Sequence, residues 1–154
     1  MSPPRRLLVV DPGKVTGWVV WDQGSRQLEA GEHVAEAFLD LAWARLLEPA
    51  PEATLDGVVC EAFIIGPGTL RVDRGANWSL EQIGALRLLA RRAGAFFLLQ
   101  PPASRRAATD ERLQAAGLWV PGGHARDAAR HLLIYLLRAG LGPPGGAPNP
   151  RREV

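Results

Sequence analysis

Apolar and polar positions along this chain change their period several times, and each change marks an element. Residues 6–10 (RLLVV) form an unbroken apolar run halted by Asp11, Pro12 and Gly13, which predicts a buried strand ended by a turn. Residues 17–21 (GWVVW) and 27–33 (QLEAGEH) follow as two more strands, and three strands in close succession predict an antiparallel meander. From residue 34 to 47 the apolar positions Val34, Phe38, Leu41, Ala42 and Trp43 fit an amphipathic helix, which Pro49 and Pro51 end. Residues 56–60 (DGVVC) return to a short strand, followed by Glu61 and a loop through Gly66, Pro67 and Gly68. Ser79 and Gln82 have the spacing of a capping box, so a helix is predicted over 79–94 with Leu80, Ile83, Leu86, Leu89 and Ala90 on its apolar side. Residues 95–99 (AFFLL) read as another buried strand, residues 107–116 as a short helix, and residues 124–138 as a last helix carrying Ala128, Leu132, Tyr135 and Leu136 inward.

Strands alternating with helices in this way predict an α/β domain, a mixed sheet with helices on both faces. One domain is expected over residues 1–140. The remaining LGPPGGAPNPRREV, residues 141–154, cannot build a core and is expected to be a disordered tail. No internal repeat is visible. A length of 154 residues suits a single core. No apolar run approaches the roughly 20 residues that cross a bilayer, so no membrane partner is expected. The start, MSPPRRLLVVD, has too short an apolar stretch for a signal peptide, and the single cysteine, Cys60, rules out an internal disulfide and a thiolate zinc cluster. Cytoplasmic residence is the expectation that follows.

Net charge is only +2, but residues 1–77 sum to −4 and residues 78–154 to +6, and every basic residue except Lys14 is an arginine. Planar guanidinium forks suit phosphate, although a GC-rich coding sequence would produce the same bias.

Asp11 and Glu61 each stand directly after an apolar strand, LLVV and GVVC. A carboxylate at the end of a buried strand is costly unless something offsets its charge, and two of them are explained either by a shared hard cation such as Mg2+ or Mn2+ or, separately, by a turn cap at Asp11 and an arginine partner for Glu61. His124 and Asp127 are three apart at the start of the last helix, which puts them on one face about 5–6 Å from each other. They too have an ordinary alternative, a helix-cap histidine and an Asp127–Arg130 pair. The amino end of that helix would favour an anionic ligand. Taken together, Asp11, Glu61, His124 and Asp127 have the inventory for two-metal phosphodiester hydrolysis with two ions per site and no nucleotide cofactor. His124 is either a ligand or a proton-transfer group.

LLVVDPGKVTGW, GVVCEAF and HARDAARHLL, in this order, resemble the RuvC-type Holliday junction resolvases of the RNase H-like superfamily, over roughly residues 7–137. The resemblance implies an RNase H-like fold with a central mixed five-stranded sheet, and Asp11, Glu61, His124 and Asp127 as the metal-binding catalytic set. It also implies a homodimer, with the helix after Ser79 as its interface, nicking opposed strands of a four-way junction symmetrically. The lysines that the family carries after the last strand are replaced here by Arg105 and Arg106, which can hold a phosphate but cannot exchange a proton at neutral pH. That divergence and the compact size look more like a bacteriophage or prophage relative. Lys14, Arg71, Arg74, Arg105 and Arg106 are the expected DNA contacts. Phe63 and Trp78 are either base-stacking residues or core, and His131, four residues after Asp127, either supports the ligands or is an ordinary helix-face histidine. Other readings keep the ligand set and change the substrate to flaps, forks or structured RNA, or leave a junction-binding module that does not cut. An actin-like ATPase would need a second glycine-rich phosphate loop that this chain lacks.

Overall fold

The structure is a computed structural model and describes residues 2–64 and 74–142, the side chains of residues 74–77 lying outside that description. β1 (Arg6–Asp11), β2 (Val15–Asp22) and β3 (Gln27–Val34) form the antiparallel meander. α1 (Ala35–Leu47) leads to β4 (Gly57–Glu61), which pairs parallel to β1 on its free side, and α2 (Arg74–Ala93) leads to β5 (Phe96–Gln100), parallel to β4. A 3-10 segment (Pro102–Ala107) and the short α3 (Asp110–Ala115) precede the long α4 (Gly123–Arg138). The strand order is therefore β3-β2-β1-β4-β5.

The run Leu7 to Val10 is apolar throughout because β1 lies at the centre and is covered on both faces. Leu8, Val10, Val58 and Cys60 meet Phe38, Ala42 and Leu46 of α1 and Ile83, Leu86 and Leu89 of α2. Leu7, Val9 and Val59, on the opposite pleat, meet Ala125, Ala128, Leu132 and Leu136 of α4 and Leu113 of α3. The mixed five-stranded sheet with helices on both faces is as expected. Among the described residues no helix is long and apolar enough to cross a membrane. Residues 143–154, most of the expected tail, lie outside the described residues.

Three local expectations are corrected. α2 starts at Arg74, five residues before the apparent capping box, because Ser79 and Gln82 serve a different segment. Ser79 Oγ donates to the carbonyl of Pro12 at 3.2 Å. Gln82, fully buried, accepts from the Gly13 amide at 2.9 Å and donates to the Gly13 carbonyl and to Thr16 Oγ1 at 3.1 and 2.7 Å, clamping the β1–β2 turn beyond Asp11. β5 is not buried: it is an edge strand, and Phe96 and Leu98, on the same pleat as Gln100, are 38% and 41% exposed although Phe96 stacks on Tyr135 of α4. Val34, the last residue of β3 and not part of the helix, is exposed, as are Trp43 and Leu80 on α1 and α2, and the inward positions of α1 are Ala35, Phe38, Ala42 and Leu46.

Candidate active site

Strand register places the first two carboxylates. Val10 pairs with Cys60 and Glu61 with Gln100, so Asp11, Glu61 and Gln100 follow one another across the ends of β1, β4 and β5. Side chains alternate along a strand, so all three point to the face that carries Val9 and Val59, the one α4 covers. α4 brings His124, Asp127 and His131 to that row, three and four residues apart on one side of the helix.

The start of α4 can approach because β2 has no side chain beneath it. A Cβ on Gly17 would come within 2.0 Å of the carbonyl carbon and oxygen of His124. Directly opposite Gly17 on β3 is Glu32, whose Oε1 accepts from the backbone amides of His124 and Ala125 at 2.8 and 3.0 Å. The amino end of α4 is thus already satisfied by a carboxylate of this chain, which corrects the expectation that it would receive an anionic ligand. Gly122, at φ 88, makes the sharp entry into the helix.

His124 Nδ1 lies 3.2 Å from Oδ2 of the buried Asp11, so the histidine edge and the first carboxylate meet. Glu61 meets Arg105 Nη1 at 3.2 Å, and the same nitrogen lies 3.0 Å from Asp127 Oδ2. Asp127 Oδ1 accepts from Arg130, which also pairs with Asp110. Both ordinary alternatives are therefore present in part: Glu61 has an arginine partner and Asp127 does pair with Arg130. They do not remove the convergence. Asp11 is pushed up to about 6, first by burial and then by the charges of Glu61 and Asp127, against the lowering effect of its hydrogen bond to His124. Burial with Asp11 and Glu61 nearby also pushes the Cys60 thiol up, so this residue is inert core.

Oxygen-rich donors with one imidazole suit a hard divalent cation by type, and the raised Asp11 marks a place short of positive charge. As the side chains stand, no group of three or more His, Cys, Asp or Glu among the described residues is disposed to hold a metal ion. Within that row the guanidinium of Arg105 lies between Glu61 and Asp127 and meets both.

Of the expected DNA contacts, Lys14 is exposed on the β1–β2 turn and Arg106 on the 3-10 segment after β5. Arg105, 37% exposed, lies inside the carboxylate cluster, a position its spacing gave no sign of. Arg71 lies outside the described residues, and Arg74 opens α2 with its side chain outside the description. Phe63 packs against the α1–α2 core, the ordinary alternative for that residue, and Trp78 is half-buried. No local pattern marks Glu32, Gln82 or Gln100 as supports, because each acts on a partner at least 31 residues away.

No family model matches the chain, and no curated protein matches it. Its fold is nonetheless similar to solved structures. Thermus thermophilus RuvC in complex with a Holliday junction substrate matches with a TM-score of 0.62 at 19% identity, covering 90% of this chain and 98% of that one. A second Thermus thermophilus RuvC structure gives 0.56 at 18% identity, with the same coverages of 90% and 98%. The fowlpox virus Holliday junction resolvase gives 0.50 at 11% identity, covering 87% of this chain and 99% of that one. Strand order, helix placement and these likenesses agree: the chain has the RuvC-type resolvase fold.

Proposed function

We propose that this protein is a metal-dependent, structure-selective DNA endonuclease that resolves four-way junctions by paired symmetric nicks, acting as a homodimer. One observation carries the proposal: three carboxylates and a histidine from β1, β4 and α4 gather at one end of the sheet in this fold, with the most buried of them, Asp11, short of compensating positive charge. Junction DNA is the substrate class because the solved structures of like fold are Holliday junction resolvases, one of them in complex with its junction.

Asp11, Glu61, Asp127 and His124 are the residues that would hold Mg2+ or Mn2+, two ions per site. Bound there, the ions supply charge that activates the attacking water and stabilises the leaving 3′ oxygen. The rest is work for the chain. Asp11 gives up its proton and anchors the site from the sheet. Asp11 Oδ2 accepts from His124 Nδ1–H, which leaves Nε2 as the nitrogen with a lone pair, available as donor atom or proton acceptor. Arg105 releases Asp127 and turns its fork to the scissile phosphate, while Arg106 and Lys14, exposed on flanking turns, hold neighbouring phosphates. These contacts see backbone and shape, so branch geometry dominates binding. A second copy docks on α2, where Leu80 and Leu88 are 42% and 56% exposed.

The proposal is tested with labelled immobile four-way junction, duplex, flap and fork substrates in Mg2+ and in Mn2+, using wild type and Asp11→Asn. The expected result is nicking confined to the junction and lost in the variant while junction binding persists. Preferential cutting of flaps, forks or structured RNA would move the same site to another substrate. Tight junction binding without nicks in either metal would make the protein a binding module.

A further inference from the structure

His131 is fully buried on α4, and both ring nitrogens have partners: Nε2 lies 2.7 Å from Glu61 Oε2, and Nδ1 lies 2.8 Å from Gln100 Oε1. An imidazole with no exposed surface cannot meet DNA, yet burying one among Leu132 and its neighbours is unfavourable unless its polar edges are used. Its partners are adjacent in the sheet, since Glu61 and Gln100 are paired across β4 and β5, so His131 bridges two strand ends from the helix above them.

The amide of Gln100 fixes how that bridge works. Its Nε2 is buried and has no hydrogen-bond partner among the described residues as the amide stands. Turned over, Nε2–H donates to Nδ1 of His131, and the proton of the neutral ring is then on Nε2, donating to Glu61 Oε2. The chain Gln100 to His131 to Glu61 then gives the donor at each step an acceptor. With the amide turned this way, the glutamine behind the ring selects the tautomer that supports the carboxylate.

Among the described residues, the hydrogen bonds to Glu61 from His131 and Arg105 both fall on Oε2. Arg105 is a long, partly exposed side chain able to leave, whereas His131 is enclosed. We propose that His131 is a positioning residue for Glu61: by holding Oε2 it fixes the plane of the carboxylate and reserves Oε1 for a divalent cation. The inference deepens the proposed function and rests on it.

The test is Mn2+ affinity of the full chain without DNA, followed by electron paramagnetic resonance, for wild type, His131→Leu, His131→Gln and His131→Asn, with thermal melting of each in chelator. His131→Leu is expected to weaken Mn2+ binding by about tenfold or more. His131→Gln, whose amide nitrogen reaches toward the position of Nε2, restores most of the affinity, and His131→Asn, whose shorter side chain reaches only the Gln100 side, does not. A purely structural role would lower melting temperature in all three without separating Gln from Asn. Where the leucine variant fails to fold, the Gln and Asn pair decides alone. Wild-type affinity in a folded His131→Leu, or equal rescue by Gln and Asn, overturns the inference and leaves the nuclease proposal standing. Absence of Mn2+ binding by wild type overturns both.

Discussion

Asp11 holds its proton up to about pH 6, against an ordinary value of 3.8, because it is buried and because Glu61 and Asp127 face it. The folded chain therefore binds this proton more tightly than the unfolded chain. The stability this group contributes is complete below about pH 4 and is lost as pH rises through about 6, so at neutral pH the ionised Asp11 destabilises the metal-free protein by an amount on the order of 2–3 kcal/mol. Asp11→Asn is accordingly expected to melt several degrees above wild type at pH 7.5 in chelator, with the gain vanishing near pH 4, as read by circular dichroism. A variant that melts lower at pH 7.5 would contradict this account of the site. Asp11 and Glu61 were legible in the sequence because each stands directly after an apolar run, where a charge is costly unless something offsets it. Arg105 was legible as a cation but not by its place, since nothing in QPPASRRA shows which arginine turns back over the strand ends and lies between Glu61 and Asp127.

The site depends on how α4 meets the sheet. Glu32 closes the amino end of the helix from β3, and Gly17 opens the space beneath it, two residues directly opposite each other in the β2–β3 register. Glu32→Ala leaves two helix amides without their acceptor, and a loss of about 1 kcal/mol is expected from the missing cap, seen as a melting temperature lower by a few degrees. Gly17→Ala is the more severe change, because a methyl group 2.0 Å from the His124 backbone displaces the helix. It is expected to fold less stably by about 1–3 kcal/mol and to lose junction nicking beyond what the stability change explains, measured by single-turnover cleavage of the folded fraction. Unchanged nicking in Gly17→Ala would mean that the placement of His124 does not matter. The spans of α1, α4 and the strands were legible from apolar runs and spacing, but the inward face of α1 only in part, and α2 was not legible at its start. Ser79 and Gln82 have the local spacing of a cap, and only the fold reveals that they clamp the turn after Asp11. β5 was misjudged for a similar reason: five apolar residues in a row look buried, but an edge strand leaves Phe96 and Leu98 half open.

At the scale of the whole molecule, the sheet order β3-β2-β1-β4-β5 puts the two central strand ends, β1 and β4, side by side, and α4 crosses them on one face. That topology was legible as alternating strands and helices, together with the order of three motifs along the chain. Among the described residues the chain holds one such site, so a protein that cuts a junction symmetrically must bring two copies to it. A supercoiled plasmid with an extruded cruciform tests this most directly, because its product reports how the nicks are made. Two nicks made within one encounter release a linear plasmid, whereas a lone nick relaxes the supercoil and reabsorbs the cruciform. The account predicts linear product with wild type in Mg2+, and none with Asp11→Asn or in chelator. Nicked circles alone, or linear product that persists in Asp11→Asn, would contradict it.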